Sequence, residues 1–303
     1  MWEEKILEVG QDIFKKATTH LQEKFNTGNL YEHLEEINRS GDLITAIDKE
    51  ANTVIRELLD DKKSELPLVL ISEETGVEYF GSEPRYFMLL DPVDGSNNVR
   101  PFRTPPPFIA MSLGIGTIAD LQKHKNPEAI SVSVHGDIFL HRMYYALSGK
   151  GAFYQEKNNI FQLKTSPIRS VRQKCIIGID LDNREQVSPQ LKGLLESEII
   201  QRRLGSSILD FCQLAGGQYD AYISESGRLK ITDVSQSYHL VKEAGGIFEY
   251  QLLLDGEPSP VLEDMYLQRV LEEEELLARI KFRLIAAGTR ELQREIKSLL
   301  KIE

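Results

Sequence analysis

Apolar residues recur at helical spacing from the start of the chain: Ile6, Leu7, Ile13, Phe14, Ala17, Leu21 and Phe25. This predicts an amphipathic helix over residues 2–26, ended near Asn26-Thr27-Gly28. A second helix is expected through Ala51, Val54, Ile55 and Leu58, with Asp42 or Thr45 as its cap. The period then shortens. Apolar or alternating runs at 68–71, 86–90, 109–115, 129–134 and 137–146 read as strands, with a Gly-containing loop over 75–84 and a turn over 149–153. Strands in such succession suggest an antiparallel or mixed sheet. From Thr165-Ser166-Pro167 the pattern changes to alternating strands and helices. Strands are expected at 175–179, 219–224 and 284–288, and helices at 191–200, 208–214, from Asp233 to Gly245-Gly246, and 291–300. Residues 262–278 are acidic and read as helical, with Glu272 to Glu275 on a solvated face. The chain is thus expected to divide into an α/β half at 1–164 and another at 165–303.

Composition changes this picture little. The 303 residues, 41% hydrophobic and 27% charged, suit one large globular domain or two intimate ones. No 18-residue apolar span suggests a membrane helix. Met1-Trp2-Glu3-Glu4-Lys5 does not read as a signal peptide, because a charged amphipathic pattern starts at once. Cys175 and Cys212 lack metal-site spacing and read as small buried hydrophobes, so a cytoplasmic location is expected. The net charge of −11 argues against nucleic acid as a partner. It also means that an anionic substrate is attracted only where bound cations invert the local field.

The candidate chemistry starts at Asp91-Pro92-Val93-Asp94-Gly95-Ser96-Asn97-Asn98, directly after the 86–90 run. Pro fixes φ and Gly permits positive φ, so a stiff, sharp turn can aim Asp91 and Asp94 at one point. Alone, such a turn reads equally well as an acidic surface turn. However, Glu73 ends the 68–71 strand and Asp233 starts a helix, which puts four acids at element ends. Together they offer oxygen ligands for two or three Mg²⁺ ions, with water and substrate phosphate completing the shell. Backbone amides at Gly95 and Ser96 can bind phosphate oxygens. No Ser/His or Cys/His nucleophile is assembled in sequence, and His135, His141 and His239 read as structural.

These residues, in this order, resemble the inositol monophosphatase family of Mg²⁺-dependent, Li⁺-sensitive phosphomonoesterases. Asp91 to Asn98 matches its first signature, and Asp233 through Glu243-Ala244-Gly245-Gly246 its second. Glu73-Glu74, Asp42 to Asp48, and Gly149 to Phe153 match further segments, so the resemblance covers nearly the whole chain. It implies a layered αβαβα sandwich of the sugar-phosphatase type, in the α+β or α/β class. It also implies a homodimer, a small phosphorylated substrate and no membrane partner.

By carry-over, Glu73, Asp91 and the Val93 carbonyl hold one Mg²⁺. Asp91, Asp94 and Asp233 hold a second, and Glu73 a weaker third. Mn²⁺ is an alternative ion and Li⁺ an inhibitor. Asp48 and Ser96 position the attacking water, although Asp48 can also be read as an ordinary helix cap. Asp94 and the Gly95 and Ser96 amides face the phosphate. Gly205, Ser206 and Ser207 match the segment that contacts inositol hydroxyls. Arg228 and Lys230 are candidates for a second, non-reacting phosphate, as are Arg202 and Arg203.

Three departures stand out: Thr232 replaces the usual aromatic, Ser96 replaces the usual Thr, and 262–278 reads as an insertion. The stretch around Arg228 to Asp233 looks like archaeal-type members that hydrolyse inositol 1-phosphate and fructose 1,6-bisphosphate. A 3′-phosphoadenosine nucleotide phosphatase is the nearest alternative. A regulatory, transcription-associated protein on the same fold is the alternative from another class.

Overall fold

The structure, a computed structural model, describes residues 2–27, 30, 33–37, 43–99, 107–181 and 188–302. Asp42, one of the two expected caps, and the arginines at 100 and 103 lie outside these residues.

Helix α1 (Trp2–Thr27) is followed by the small antiparallel pair β1 (His33–Ile37) and β2 (Leu43–Thr45), and by α2 (Ala46–Lys62). Next come β3 (Leu68–Ser72), β4 (Gly76–Phe80), β5 (Tyr86–Asp94), β6 (Ala110–Thr117) and helix α3 (Ile118–His124). Strands β7 (Val132–Asp137), β8 (Arg142–Leu147), β9 (Gly151–Glu156) and β10 (Asn159–Gln162) complete an eight-stranded sheet of order β10-β9-β8-β7-β6-β5-β3-β4. Every neighbouring pair in it is antiparallel except β3 with β5.

The rest of the chain builds a second sheet. It runs through β11 (Ile176–Asp180), α4 (Pro189–Leu195), β12 (Ile200–Arg202), α5 (Ser207–Ala215), β13 (Ala221–Leu229) and α6 (Ile231–Glu243). Strands β14 (Ile247–Leu254) and β15 (Glu257–Pro258) precede the short helices α7 (Pro260–Glu263), α8 (Tyr266–Glu272) and α9 (Leu276–Arg279). Strand β16 (Ile280–Ala287) and helix α10 (Arg290–Leu300) follow, and the six strands order as β12-β11-β13-β16-β14-β15.

Burial stacks these parts as helices, sheet, helices, sheet, helices. Residues of α1 and α2, such as Ile13, Leu21, Ile47 and Ile55, share a core with Met88, Leu90 and Leu113 on one face of the large sheet. The opposite face, with Phe87, Leu89 and Ala110, packs on α5 and α6, which also cover Tyr222 and Phe282 of the second sheet. Helices α4 and α10 close the outside through Leu191, Leu194, Leu292 and Ile296. This is the expected αβαβα arrangement. The approach of α6 to the large sheet depends on Gly114, where an added Cβ would lie 2.8 Å from Cβ of Gln236.

Several expected elements differ in detail. The loop expected over 75–84 contains β4, an edge strand whose central positions are only partly covered and so show no apolar run. The strand expected over 137–146 breaks after Asp137. Its carboxylate accepts from the amides of Phe139 and Leu140 at 2.8 Å each, folding 138–141 into a turn that ends with His141 at φ 51°. The 149–153 turn is shorter than expected, because Gly151 already opens β9. The helix expected over 191–200 ends at Leu195 and is followed by β12. Residues 262–278 form parts of three short helices. Tyr266, Leu267, Val270, Leu276 and Leu277 bury into the central core, while Glu272, Glu273 and Glu275 stay exposed.

Candidate active site

Strands β3 and β5 run parallel, so their C-terminal ends lie side by side, a place where α/β sheets commonly bind ligands. Glu73 follows β3, and Asp91 and Asp94 are on the last turns of β5. Residues three apart on a regular strand face opposite sides. Here Asp91 pairs with Ser112 and Asp94 with Ala110, three positions against two, so β5 carries a one-residue bulge. The extra residue turns both carboxylates toward the central helical layer. Pro92, which has no N–H to give, sits within the bulge, where a strand tolerates it.

Three helices start at this spot. Thr45 caps α2, as expected. Its amide and hydroxyl both donate to Asp48 Oδ2, at 2.7 and 2.6 Å, so Asp48 is indeed a capping carboxylate. Asp233, in the first turn of α6, accepts from the Lys230 amide at 2.7 Å. Asp94 Oδ2 accepts from Ser206 Oγ at 2.6 Å, Ser207 Oγ at 3.3 Å and the Ile208 amide at 2.7 Å, all at the start of α5. The positive ends of three helix dipoles therefore meet the acidic cluster.

One oxygen each from Asp91, Asp94 and Asp233 lies within 4.8 Å of the others. Asp91, Asp233, Glu73 and Asp48 are all buried. Burial is the main cause that raises the acid pKa values: Asp48 and Asp94 move up to about 6 and Asp233 to about 7. Asp91 is raised further by burial and by the charges of Glu73, Asp94 and Asp233. Carboxylates held this close, with oxygen donors alone, suit a hard divalent cation.

Glu73 meets a different partner among the described residues: Lys230 Nζ stands 2.8 Å from its Oε2. Lys230 is thus in the cluster itself. Arg228, Arg202 and Arg203 are exposed. Gly95 adopts φ 87°, and Ser96 opens a single 3₁₀ turn whose first amides have no partner within the turn. A Cβ at Gly95 would lie 2.9 Å from the Gly205 carbonyl oxygen, so the turn and the 205–207 segment touch. Ser206 is buried, and its hydroxyl also accepts from the Leu209 amide at 3.2 Å. His135 and His239 are buried, and desolvation lowers both to about 3, which keeps them neutral. They bond Ser112, Ser133 and Ser148, as structural histidines do.

Two residues were given no role of their own in the sequence reading. Asn98 donates through Nδ2 to the carbonyls of Phe108 at 2.7 Å and Leu204 at 3.1 Å, which ties the turn to the start of α5. Asp210 is buried and raised to about 7, and accepts from Tyr219 Oη at 3.1 Å and the Leu204 amide at 3.3 Å. Its signal was available: a lone acid between Leu209 and Phe211 in an apolar helix.

Known proteins bear on this arrangement. A bifunctional NADP phosphatase/NAD kinase of Methanococcus maripaludis is 30% identical over 189 residues, 59% of this chain and 32% of that protein. The match thus spans about a third of that relative's length. A fructose-1,6-bisphosphatase/inositol-1-monophosphatase of Methanothermobacter thermautotrophicus is 26% identical over 249 residues, 78% of this chain and 76% of the relative. The crystal structure of the extragenic suppressor protein suhB of Bartonella henselae has the same fold, with TM-score 0.71, 19% identity and 98% coverage of both chains. The sequence profile of the inositol monophosphatase family matches residues 2–282, and the chain belongs to that family of phosphoric monoester hydrolases.

Proposed function

We propose that this chain is a Mg²⁺-dependent phosphomonoesterase that hydrolyses inositol 1-phosphate, fructose 1,6-bisphosphate or both by direct attack of water. The observation that carries this reading is the meeting of Asp91, Asp94 and Asp233 beside the Gly95–Ser96 turn. Asp91, Asp94, Asp233 and Glu73, with the Val93 carbonyl, are the residues that would hold Mg²⁺ in the complex with substrate. Bound there, the ion supplies Lewis-acid chemistry, making water a stronger acid and offsetting negative charge on the phosphoryl group. Thr45 holds Asp48 Oδ2 in place, so that this carboxylate can hydrogen-bond the attacking water and position it. Ser96 contributes a hydroxyl for orienting the water. The amides of Gly95 and Ser96, with the helix starts, stabilise the phosphoryl oxygens. Ser206 serves the site through its bond to Asp94, while Gly205 and Ser207 remain the contacts for sugar or inositol hydroxyls.

Nucleotide monoesters are the second reading. It draws on the relative named as an NADP phosphatase and on Phe108, 47% exposed, whose carbonyl receives the Asn98 amide beside the turn. A ring there offers a surface on which a base can stack. Phosphate release should be measured with Mg²⁺ for inositol 1-phosphate, fructose 1,6-bisphosphate, adenosine 3′,5′-bisphosphate and NADP. The expected result is turnover of one or both sugar-type substrates, abolished by EDTA and restored by Mg²⁺. Turnover that survives EDTA removes the metal reading, and turnover of the nucleotides alone replaces the substrate class.

A further inference from the structure

One cation is already built into the acidic cluster. Lys230 joins the end of β13 to α6, and it touches two of the candidate ligands at once. Its amide donates to Asp233 Oδ2 at 2.7 Å, and its Nζ lies 2.8 Å from Glu73 Oε2, across 157 positions of sequence. The two side chains are only 17% and 9% exposed, so solvent and salt screen this pair weakly. The ammonium also favours the charged forms of Asp48, Asp91 and Asp233, so its field reaches across the cluster.

A divalent ion that takes Glu73 as a ligand meets this ammonium directly. Two cations at one carboxylate repel. Displacing the ammonium breaks a little-exposed, weakly screened ion pair, which is costly. Asp91, Asp94 and Asp233 carry no such constraint, because among the described residues each accepts hydrogen bonds from neutral donors.

We propose that Lys230 is a resident counter-cation that reserves Glu73, so that the substrate-free cluster takes ions through Asp91, Asp94 and Asp233 and takes none at Glu73. The proposal rests on the metal-dependent reading above. It gives Lys230 a positioning role in place of contact with a distal phosphate.

Bound Mn²⁺ should be counted by electron paramagnetic resonance of the free ion for wild type, Lys230→Met, Lys230→Arg and the double variant Lys230→Met/Glu73→Gln. Thermal unfolding of each should be followed in EDTA and in Mn²⁺. Lys230→Met should bind about one more ion per chain than wild type, or hold its weakest ion about tenfold more tightly. Lys230→Arg should match wild type, and the double variant should return to the wild-type count. If Lys230→Met unfolds in EDTA, Mn²⁺ should restore it by a larger shift in Tm than it gives wild type. An unchanged ion count, with equal destabilisation in EDTA and in Mn²⁺, overturns the proposal. So does a raised KM at unchanged ion count, which assigns Lys230 to the substrate. A wild type that binds no Mn²⁺ defeats the metal reading itself, a separate outcome.

Discussion

Asp94 serves two structures at once. Its Oδ2 receives three donors from the start of α5, and it lies within 4.8 Å reach of Asp91 and Asp233. Asp94→Asn keeps the shape but removes the charge and replaces one acceptor with a donor. Phosphate release should fall by at least about 100-fold, since even outer partners of a metal ligand are worth 10–100-fold. Assays at several Mg²⁺ concentrations check this, and full activity in the variant would remove Asp94 from the metal role. At this scale the sequence was most readable where chemistry coincides with an element end, as at Glu73, Asp91 and Asp233. It was least readable for Lys230, whose partner lies 157 positions away, and for Ser206, whose hydroxyl bonds a carboxylate and not solvent.

At the scale of elements, the central layer sets the geometry. Helix α6 delivers Asp233, and it lies against β6 where Gly114 leaves room for Gln236. Gly114→Ala should push α6 outward, costing about 1–3 kcal/mol of stability by overpacking. Denaturant unfolding measures the loss. Unchanged stability together with unchanged activity would show that the layer yields without cost. Helices α1, α2, α5, α6 and α10 and strands β3, β5, β6, β11, β13 and β16 were legible because their apolar periods are strong, whereas the inner strand β14 was missed because its first half is exposed or only partly covered and carries no sustained apolar run. Strands β4, β10 and β15 were not legible either, since they are edge strands or peripheral and carry exposed positions throughout or in part. The turn at 138–141 was hidden by its apolar residues, Ile138, Phe139 and Leu140, which imitate a strand.

For the whole molecule, the buried acids make stability depend on pH and on metal together. The folded pKa values of Asp48 and Asp94, about 6, and of Asp233, about 7, lie above the ordinary aspartate value of 3.8. The folded state therefore binds protons that the unfolded state has released. The contribution of these groups is fully present below about pH 4 and is lost as pH rises through about 6 to 7. In EDTA, Tm should fall between about pH 5 and 7, and millimolar Mg²⁺ should reduce that fall. A metal-free Tm that is level or rising across this range would contradict the assigned burial of the cluster. The ion-paired acids Asp12 and Glu50 are ionised in both states there, and the opposing gain from His135 and His239, whose folded values of about 3 lie below the ordinary histidine value, involves two protons against the four of Asp48, Asp94, Asp210 and Asp233.

The bulge in β5 makes the site sensitive to the length of one short segment. Between Asp91 and Asp94 the strand counts three steps while its neighbour counts two, and the extra residue offsets the odd spacing so that both carboxylates share one side. Changes of residue type at Val93 leave the count intact, provided the replacement keeps a backbone carbonyl and an apolar side chain. A one-residue deletion removes the bulge: the two carboxylates, then two apart, stay on one side by ordinary alternation, but the Val93 carbonyl and the left-handed Gly95 that follow the bulge are displaced from their places. Length, more than composition, is thus the variable that this segment cannot change, and variation among active relatives should respect it even where their residues differ.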